Sequence, residues 1–372
     1  MRFSVSSSEL LHGLMSVSRV IANKPSSSIL ENFLFDLKDN ALTVTASDGE
    51  TTLKTVIGID NVQQEGAYAV PARRLTDYLK EFPDQPLTFY CHDNTMEITW
   101  ISGESKIPCF NADDYPQLPV LGETCDTLEI PAETLLNGIN NTLYATAEEE
   151  LRPVMNGIFF DLGTEKSAMV ASDAHKLICF EFNDAKVSQQ CSFILHKKPA
   201  AILKSILPKT EENISIIFDS KNAYFNFGTN MMVCRLIEGK YPQYRSVIPQ
   251  NDNKLIIGRT DFLNSVRRIA VCSAQASNQI KLKLSLNEVV VSAQDLSFST
   301  SAYERLTCNY EGDEMEIGFK AQFLIEILTN LPYTNVCVEL ADPCKAVLIV
   351  SADESDPDET LQALLMPVMI NV

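Results

Sequence analysis

The residues best suited to catalysis are Asp173 and His175 in the segment SDAHK, which could act as the acid–base pair of a hydrolase. The same Ser-Asp pair occurs earlier at Ser47 and Asp48, but Gly49 and Glu50 follow it there and the histidine is missing. A motif that occurs in two places with only part of its chemistry is more typical of a structural turn. We therefore interpret both segments as turns and keep the hydrolase as an alternative.

Other patterns that carry chemistry are weak or missing in this sequence. The carboxylates Glu148–Glu150 are consecutive, so their side chains do not converge on a metal, and they are typical of a solvated loop. None of the 14 glycines belongs to a phosphate-binding motif, none of the 10 cysteines forms a Cys-x-x-Cys pair, and the 4 histidines lack metal-ligand spacing. The sequence thus predicts a binding or scaffold protein with no catalytic residues, no metal and no cofactor.

Length and composition bound the class of protein. The chain has 372 residues, of which 45% are hydrophobic, enough for two or three domains. The start MRFSVSSSEL is not a secretory signal, and no segment reaches the ~20 apolar residues of a membrane helix. Scattered cysteines without a disulfide pattern favour a reducing compartment. We expect a cytoplasmic protein that does not bind membranes.

The net charge of −19 argues against nucleic acid unless the basic residues are gathered on one surface. Acidic residues concentrate in loops such as Asp113–Asp114, Glu311–Glu316 and 353–359, whereas predicted helices carry much of the basic charge. The helical basic residues are His12, Arg19, Arg73, Arg74, Lys80, Lys197, Lys198, Lys204, Arg267 and Arg268. If these helices share a surface, that surface attracts the phosphate backbone without reading bases, which permits sliding.

An internal repeat of about 125 residues determines the predicted fold. Tyr-Pro-Gln occurs with its proline at 116 and again at 242, and Met-Pro-Val follows with Pro367. Each third begins with a short strand and an amphipathic helix, continues with alternating strands, and has a second helix followed by a hairpin. These patterns predict an α+β protein with three copies of one module, 1–122, 123–248 and 249–372.

Local signals place the ends of several elements. Ser6 and Glu9 fit a capping box at the first helix. Asp39–Asn40 and Asp93–Asn94 are typical of hairpin turns. The second helices are predicted to stop at proline, which lacks the N–H needed to continue a helix. These stops are Phe82-Pro83, Leu207-Pro208 and Leu331-Pro332.

The whole chain resembles the bacterial DNA polymerase III beta subunit, the sliding clamp. The segments that carry this resemblance are VPARRL (70–75), RPVMNGIFFD (152–161), ASDAHKL (171–177), EGKYPQYRSVIP (238–249), MEIGF (315–319) and MPV (366–368). The resemblance implies three clamp modules per chain and a head-to-tail dimeric ring with helices lining the hole and sheets outside. It further implies a non-catalytic processivity factor that encircles double-stranded DNA without sequence specificity.

The resemblance also implies partners and sites. The partners are the replicative polymerase alpha subunit, the clamp loader and other proteins with a clamp-binding motif, which share a pocket between modules 2 and 3. By position, that pocket comprises Met155, Ser172, Ala174, His175, Lys176, Leu177, Pro242, Ser246, Val247, Cys344, Ala346, Leu364, Met366, Pro367 and Val368. Lys24 and Arg152 join the DNA-facing residues. The dimer seam would bring Tyr78, Phe82, Lys106 and Ile107 against Val271, Cys272 and Glu304 of the second chain.

One further alternative stays open at the level of sequence. An oligomeric scaffold that does not bind DNA would have the same repeats, with its basic helices facing solvent. Retention on closed circular DNA distinguishes this scaffold from a clamp, because only a protein that encircles the duplex depends on DNA topology.

Overall fold

The computed structural model describes residues 1–24, 26–122, 124–149, 151–207, 212–353 and 358–370, and only the backbone of Lys186. Glu150, Pro208 and residues 354–357, which belong to predicted loops and to a predicted helix stop, lie outside this description. Over the described residues, one order of elements occurs three times: a strand, a helix, five strands, a second helix and three strands. The helices are α1 Ser7–Val17, α2 Ala72–Leu79, α3 Ala132–Thr142, α4 Lys197–Ile206, α5 Arg259–Ala270 and α6 Ala321–Asn330.

Strands make up the larger part of each repeat. The first has β1 Arg2–Ser6, β2 Asn32–Lys38, β3 Ala41–Ser47, β4 Thr51–Gly58, β5 Asn61–Gln64, β6 Gly66–Pro71, β7 Pro86–His92, β8 Thr95–Trp100 and β9 Gly103–Pro108, with β10 Phe110–Asn111 after it. The second has β11 Asp126–Pro131, β12 Gly157–Leu162, β13 Ser167–Ser172, β14 Lys176–Phe182, β15 Lys186–Val187, β16 Cys191–His196, β17 Asn213–Phe218, β18 Asn222–Phe227 and β19 Asn230–Arg235. The third has β20 Asn253–Gly258, β21 Gln279–Ser285, β22 Glu288–Asp295, β23 Thr300–Thr307, β24 Asn309–Glu311, β25 Met315–Lys320, β26 Asn335–Leu340, β27 Val347–Ser351 and β28 Glu359–Leu365.

The chain forms two compact units that cut across the second repeat, Met1–Ala132 with Ile202–Leu236, and Glu133–Ala201 with Ile237–Val372. The first unit contains a sheet in the order β5-β1-β7-β8-β9 and a longer one, β10-β6-β2-β3-β4-β19-β18-β17-β11. The second contains β16-β12-β13-β14-β28-β27-β26-β20-β24 and β23-β22-β21-β25. The α+β prediction is confirmed, and the module boundaries stay predictions.

Each long sheet is shared by two successive repeats. In the first unit, β4 pairs antiparallel with β19, and Leu53 lies opposite Met232. In the second unit, β14 pairs in the same way with β28, and Leu177 lies opposite Leu364. Strands β4 and β14 occupy the same place in their repeats, as do β19 and β28. The corresponding strands β23 and β9 end their sheets, with no outer neighbour among the described residues.

The helices cover the sheets closely because small residues stand at the contacts. Ser6 caps α1, and its hydroxyl accepts a 3.4 Å hydrogen bond from the Glu9 N–H, as the capping motif predicts. A Cβ on Gly13 of α1 would lie 2.5 Å from Ile57 Cδ1, and a Cβ on Gly138 of α3 would lie 2.3 Å from Met169 Sδ. A side chain at either position would therefore have to displace the end of a neighbouring side chain. No helix among the described residues combines the length and the apolar character needed to cross a bilayer.

Two sequence predictions about helix ends need correction. Arg19 lies in a 3-10 turn, Ser18–Val20, because α1 ends at Val17. Helix α2 ends at Leu79, before the predicted stop at Phe82, because the N–H groups of Glu81 and Phe82 bond to carbonyls three residues back. Such bonds tighten the last turn into a non-α geometry.

The predicted hairpin turns are confirmed. Asp39 and Asn40 between β2 and β3 have φ of 50° and 60°, and Asp93 and Asn94 between β7 and β8 have φ of 44° and 58°. Asn and Asp tolerate this left-handed region better than other non-glycine residues, which is why they favour two-residue hairpin loops.

Substitution of Gly138 tests the close approach of α3 to its sheet. We expect Gly138→Val to lower the free energy of unfolding by about 1–3 kcal/mol, because the added methyl groups overlap Met169 and Phe180. Gly58→Val is the matched control, since a Cβ there meets nothing within 4 Å, and it should change stability by less than about 0.5 kcal/mol. Urea unfolding followed by circular dichroism measures both, and equal effects would contradict close packing at Gly138.

Candidate functional site

The turn between β13 and β14 is held by its own side chains. The Ser172 hydroxyl donates to the Lys176 carbonyl at 2.8 Å, and Asp173 Oδ1 accepts the N–H groups of His175 and Lys176, both at 2.9 Å. Ala174 at the tip has φ of 72°, a conformation that costs less for glycine. These bonds fix a rigid corner that presents Ala174 and His175 to solvent.

The side chain of Lys176 points back into the protein and is only 4% exposed. Its amine contacts Asp173 Oδ2 at 2.6 Å and Glu326 Oε2 on α6 at 2.9 Å, and it lies 4.7 Å from the centre of the Phe323 ring. The His175 ring stacks on the same phenylalanine at 5.2 Å. Helix α6 therefore supports the turn from behind, a role that the sequence analysis missed because both partners lie about 150 residues away.

This geometry argues against the hydrolase alternative. Both oxygens of Asp173 are engaged, one by two backbone N–H groups and the other by the Lys176 amine. The His175 ring packs against Phe323 and makes no hydrogen bond to Asp173 in the structure. The two side chains do not form an acid–base pair. Among the described residues, no cluster of three histidine, cysteine or carboxylate groups could hold a metal.

The C-terminal segment leaves β28 beside this turn and bridges to β25 of the four-stranded sheet. The Met366 N–H donates to the His175 carbonyl at 2.9 Å, and the Val368 N–H donates to the Gly318 carbonyl at 2.9 Å. The Met366 side chain is 42% exposed, and Pro367 and Val368 are half-buried. A segment pinned only through its backbone leaves apolar side chains free to face a ligand.

A buried apolar cluster lies beneath these residues at the junction of β14 and β28. Its buried members come from β13, β14, β16, β27, β28 and the segment after β19: Ala168, Val170, Leu177, Cys179, Ile194, Tyr241, Tyr244, Leu348 and Leu364. Packed against them are Val154, Phe159, Ile237, Ile248, Ala346 and Val350. Tyr241 stacks on Phe159 at 4.7 Å with rings nearly parallel. Of the predicted pocket residues, Leu177, Leu364 and Ala346 belong to this cluster.

A glycine and a polar network hold the segment that carries Pro242. Gly239 has φ of 132°, and its Cβ position lies 2.8 Å from Val154, so the chain can pass there only as glycine. The Tyr244 hydroxyl donates to Asp161 Oδ2 at 2.7 Å, and Arg245 Nη2 donates to the same oxygen at 3.0 Å. Burial and this bond to a carboxylate raise the pKa of Tyr244, so its phenol stays protonated.

The remaining predicted pocket residues lie around the cluster with more exposure. Pro242, Ser246 and Val247 are exposed in the segment that contains the 3-10 turn Tyr244–Val247. Cys344 is exposed in the turn before β27, where its N–H donates to Asp342 Oδ1 at 2.8 Å. Met155 is half-buried and follows Val154 of the cluster. A cleft of about 950 Å³ adjoins Tyr241 and Pro242 and extends toward Lys166.

The predicted DNA-facing residues are exposed except for Lys197, which is half-buried. Several hold local partners: Arg73 donates to Asn23 at 2.6 Å, Lys80 pairs with Asp77 at 3.0 Å, and Lys197 donates to the Ala147 carbonyl at 3.2 Å. Such contacts at the surface are weak and do not prevent a phosphate from replacing them. His12, Arg19, Lys24, Arg74, Arg152, Lys198 and Lys204 are also exposed.

Of the predicted seam residues, Lys106 and Ile107 lie on β9 and Glu304 on β23. Tyr78 and Phe82 belong to α2 and the turn after it, and Val271 and Cys272 follow α5. On the first unit, Tyr78 and Phe82 pack edge-to-face at 5.1 Å, and Ile107 of β9 is buried. On the second unit, Val271 is 84% exposed, and Glu304 of β23 forms a close ion pair with Arg268. This pair holds the pKa of the Glu304 carboxyl below its usual value and places Arg268 beside the predicted seam.

Comparison with known proteins identifies the family. Three family models of the DNA polymerase III beta subunit match in order, the N-terminal domain over residues 1–119, the central domain over 129–243 and the C-terminal domain over 245–369. The chain is 26% identical to the beta sliding clamp of Haemophilus influenzae over 373 residues, covering 100% of both. It is 27% identical to that of Escherichia coli (strain K12), covering 95% of this chain and 96% of the relative.

Solved structures of sliding clamps share the fold. The Bartonella birtlesii clamp bound to griselimycin superposes with a TM-score of 0.91 at 25% identity, and a Pseudomonas aeruginosa clamp with 0.93 at 23%, each covering 100% of both chains. The chain therefore belongs to the DNA polymerase III beta subunit family, the bacterial sliding clamps. It is a non-catalytic processivity factor of DNA polymerase III, as the sequence predicts.

Replacing Lys176 tests whether its buried ion pairs hold the turn. We expect Lys176→Met to lower the free energy of unfolding by about 2 kcal/mol or more, because Asp173 and Glu326 would lose a buried cation. Lys166→Met is the matched control: its pair with Glu181 has the same 2.6 Å separation, but Lys166 is 51% exposed, so the loss should stay below about 1 kcal/mol. Urea unfolding of both variants gives the comparison, and a larger loss in the control would rule out this role.

Proposed function

We propose that two copies of this chain close head to tail into a ring around duplex DNA and hold client proteins by a peptide pocket at the β14–β28 junction. The main support for a closed ring is the pattern of strand pairing. Within the chain, each β4-type strand pairs with the β9-type strand of the next repeat, as in β4–β19 and β14–β28. This pattern leaves β23 at one end of the series and β9 at the other.

A second copy completes the series without a new kind of contact. Pairing β23 of one chain with β9 of its partner, twice, gives six junctions of one type and leaves neither of these edges exposed. An exposed edge is otherwise a site for uncontrolled association, so proteins cover it. Exposed apolar side chains near the edges support this pairing: Val271, Phe298 and Tyr303 on the second unit and Ile101 on the first are at least 70% exposed.

The charge distribution supports sequence-independent contact with DNA. The predicted DNA-facing residues are exposed except for the half-buried Lys197, whereas the chain as a whole carries a charge of −19. Phosphate contacts by Arg and Lys attract any duplex equally, and weak contacts of this kind permit movement along it. We expect Arg73, Arg74 and Lys204 to contact DNA phosphates most directly, because they lie on helix surfaces without a carboxylate partner among the described residues.

The pocket suits an exchangeable apolar peptide. Met366 and Val247 are exposed above the buried cluster that contains Leu177 and Leu364. A peptide that buries ~300 Å² of apolar surface gains roughly 7 kcal/mol before ordering costs, which corresponds to micromolar binding or weaker. Clients would be the replicative polymerase alpha subunit, the clamp loader and other proteins with a clamp-binding motif, all in the cytoplasm.

Retention on closed DNA tests the ring. We expect the loaded protein to stay on circular duplex DNA during gel filtration and to leave at least tenfold faster after a single restriction cut, because the ring slides off an end. Val271→Asp should give monomers and abolish retention, since it places a charge in the proposed seam. Leu286→Asp is the matched control, since Leu286 in the β21–β22 turn is 75% exposed against 84% for Val271, and it should behave as wild type.

Equal retention on circular and linear DNA would exclude encirclement and favour simple surface binding. A dimer that has no affinity for either DNA would favour the scaffold that does not bind DNA. Sedimentation velocity of both variants shows whether loss of retention follows loss of the dimer.

Modification of Cys344 tests the pocket. Cys344 and Cys125 are the two exposed cysteines, whereas burial raises the pKa of the Cys179 thiol to about 12 and keeps it unreactive. We expect a fluorescein maleimide on Cys344, in Cys125→Ser protein, to weaken binding of the polymerase alpha subunit at least tenfold by blocking the pocket. The same label on Cys125, in Cys344→Ser protein, should leave binding unchanged, and an equal loss there would place the site elsewhere.

A further inference from the structure

The β4–β19 junction repeats the geometry of the β14–β28 junction bond by bond. The Ser47 hydroxyl donates to the Thr51 carbonyl at 3.2 Å, and Asp48 Oδ1 accepts the N–H groups of Glu50 and Thr51 at 2.9 and 2.7 Å. The Arg235 N–H then donates to the Glu50 carbonyl at 3.0 Å, as the Met366 N–H does to His175 at 2.9 Å. Arg235 therefore corresponds to Met366, and Glu50 corresponds to His175.

The surroundings of the two junctions correspond as well. Tyr115, before Pro116, is buried as Tyr241 is before Pro242. Asp219 accepts the Lys221 N–H at 2.7 Å, as Asp342 accepts that of Cys344 at 2.8 Å, so Lys221 corresponds to Cys344. A cleft of about 310 Å³ lies at this first junction, within the range of small-ligand sites.

The side chains around this first cleft have different chemistry. Where the second junction presents a methionine and a cysteine, the first presents the guanidinium of Arg235 and the amine of Lys221. Arg235 contacts Glu50 at 3.5 Å, but both are more than 60% exposed, so this pair is weak and easily replaced. The Lys221 amine makes no hydrogen bond or ion pair within the described parts of the chain, and its charge is one of the causes that lower the pKa of the nearby Asp219 carboxyl. Two donors for a carboxylate thus border the cleft.

A buried amide provides an independent sign of a ligand. Asn222 as a residue is only 9% exposed and lines the cleft, and its side-chain amide makes no hydrogen bond to the residues that the structure describes. Its carbonyl and NH₂ group can therefore both pair with a ligand in the cleft. The complementary partner for such an amide is the C=O and N–H of an extended peptide.

We propose that this cleft between Arg235, Lys221 and Asn222 is a second peptide site that binds a short extended segment with an acidic side chain. Asn222 would pair with the backbone of the peptide, while Lys221 and Arg235 bind its carboxylate and Glu50 turns away. The site goes beyond the pocket proposed for polymerase clients, because its lining is polar and selects an acidic peptide. A client could then occupy one junction while another occupies the second.

Equilibrium dialysis with capped tripeptides tests this site on the full chain. The probe is a mixture of acetyl-X-Asp-X-amides, in which X is any amino acid. The control is the corresponding mixture of acetyl-X-Asn-X-amides, and mass spectrometry measures the retained fraction of each peptide. We expect peptides of the Asp mixture to be retained at least tenfold more than the Asn peptides with the same flanking residues. Asn222→Ala and the double variant Lys221→Ala with Arg235→Ala should each reduce this retention at least tenfold, while exposed Lys283→Ala should not.

Retention must also be independent of the second junction. Maleimide on Cys344 should leave retention of the Asp tripeptides unchanged, whatever it does to polymerase binding, and so separates failure here from failure of the client pocket. Equal retention of Asp and Asn members, unchanged retention in the cleft variants, or loss after Cys344 labelling would each overturn the site. Thermal unfolding of the variants confirms that they are folded.

Discussion

The hydrogen bonds of strand edges are the constraint on which the rest of this structure depends. Each repeat has one edge of the β4 type and one of the β9 type, and exposed N–H and C=O groups on both must be paired or covered. Because unlike edges pair with each other, each long sheet contains strands from two successive repeats. The compact units therefore do not follow the repeats, since half of the second repeat shares a sheet with the first and half with the third.

Because the junctions form by one rule, the same local geometry occurs at both of them, and only the side chains differ. The serine and aspartate side chains hold the Ser-Asp turn, and backbone atoms bond it to the neighbouring strand, which leaves the outward residues free to vary. At one junction these are Met366 and Cys344, and at the other Arg235 and Lys221. Duplication of a scaffold thus provides two junctions with the same backbone hydrogen bonds, and substitution decides which ligand each can hold.

Much of the local structure was predictable because its causes lie within a few residues. Asp39–Asn40 and Asp93–Asn94 make their hairpins by their own tolerance of positive φ, and Ser6 caps the helix that follows it. Helix ends were less predictable: Arg19 and Phe82 fall outside the α-helices because the last turns tighten. The environment of Lys176 could not be predicted at all, since Phe323 and Glu326 reach it only through the fold.

The sequence by itself determined the α+β class, the threefold repeat and the family, because periodicity, turn residues and ordered motifs are properties of neighbouring positions. Only the tertiary structure decided which strands share a sheet, which strand edges lack a neighbour among the described residues, and that the Asn222 side chain lies beside Lys221 with no hydrogen-bond partner among those residues. The physical reason is that pairing and burial are set by contacts between residues far apart in the chain. The amino-acid sequence shows which side chains are present but not which of them are in contact in the folded protein.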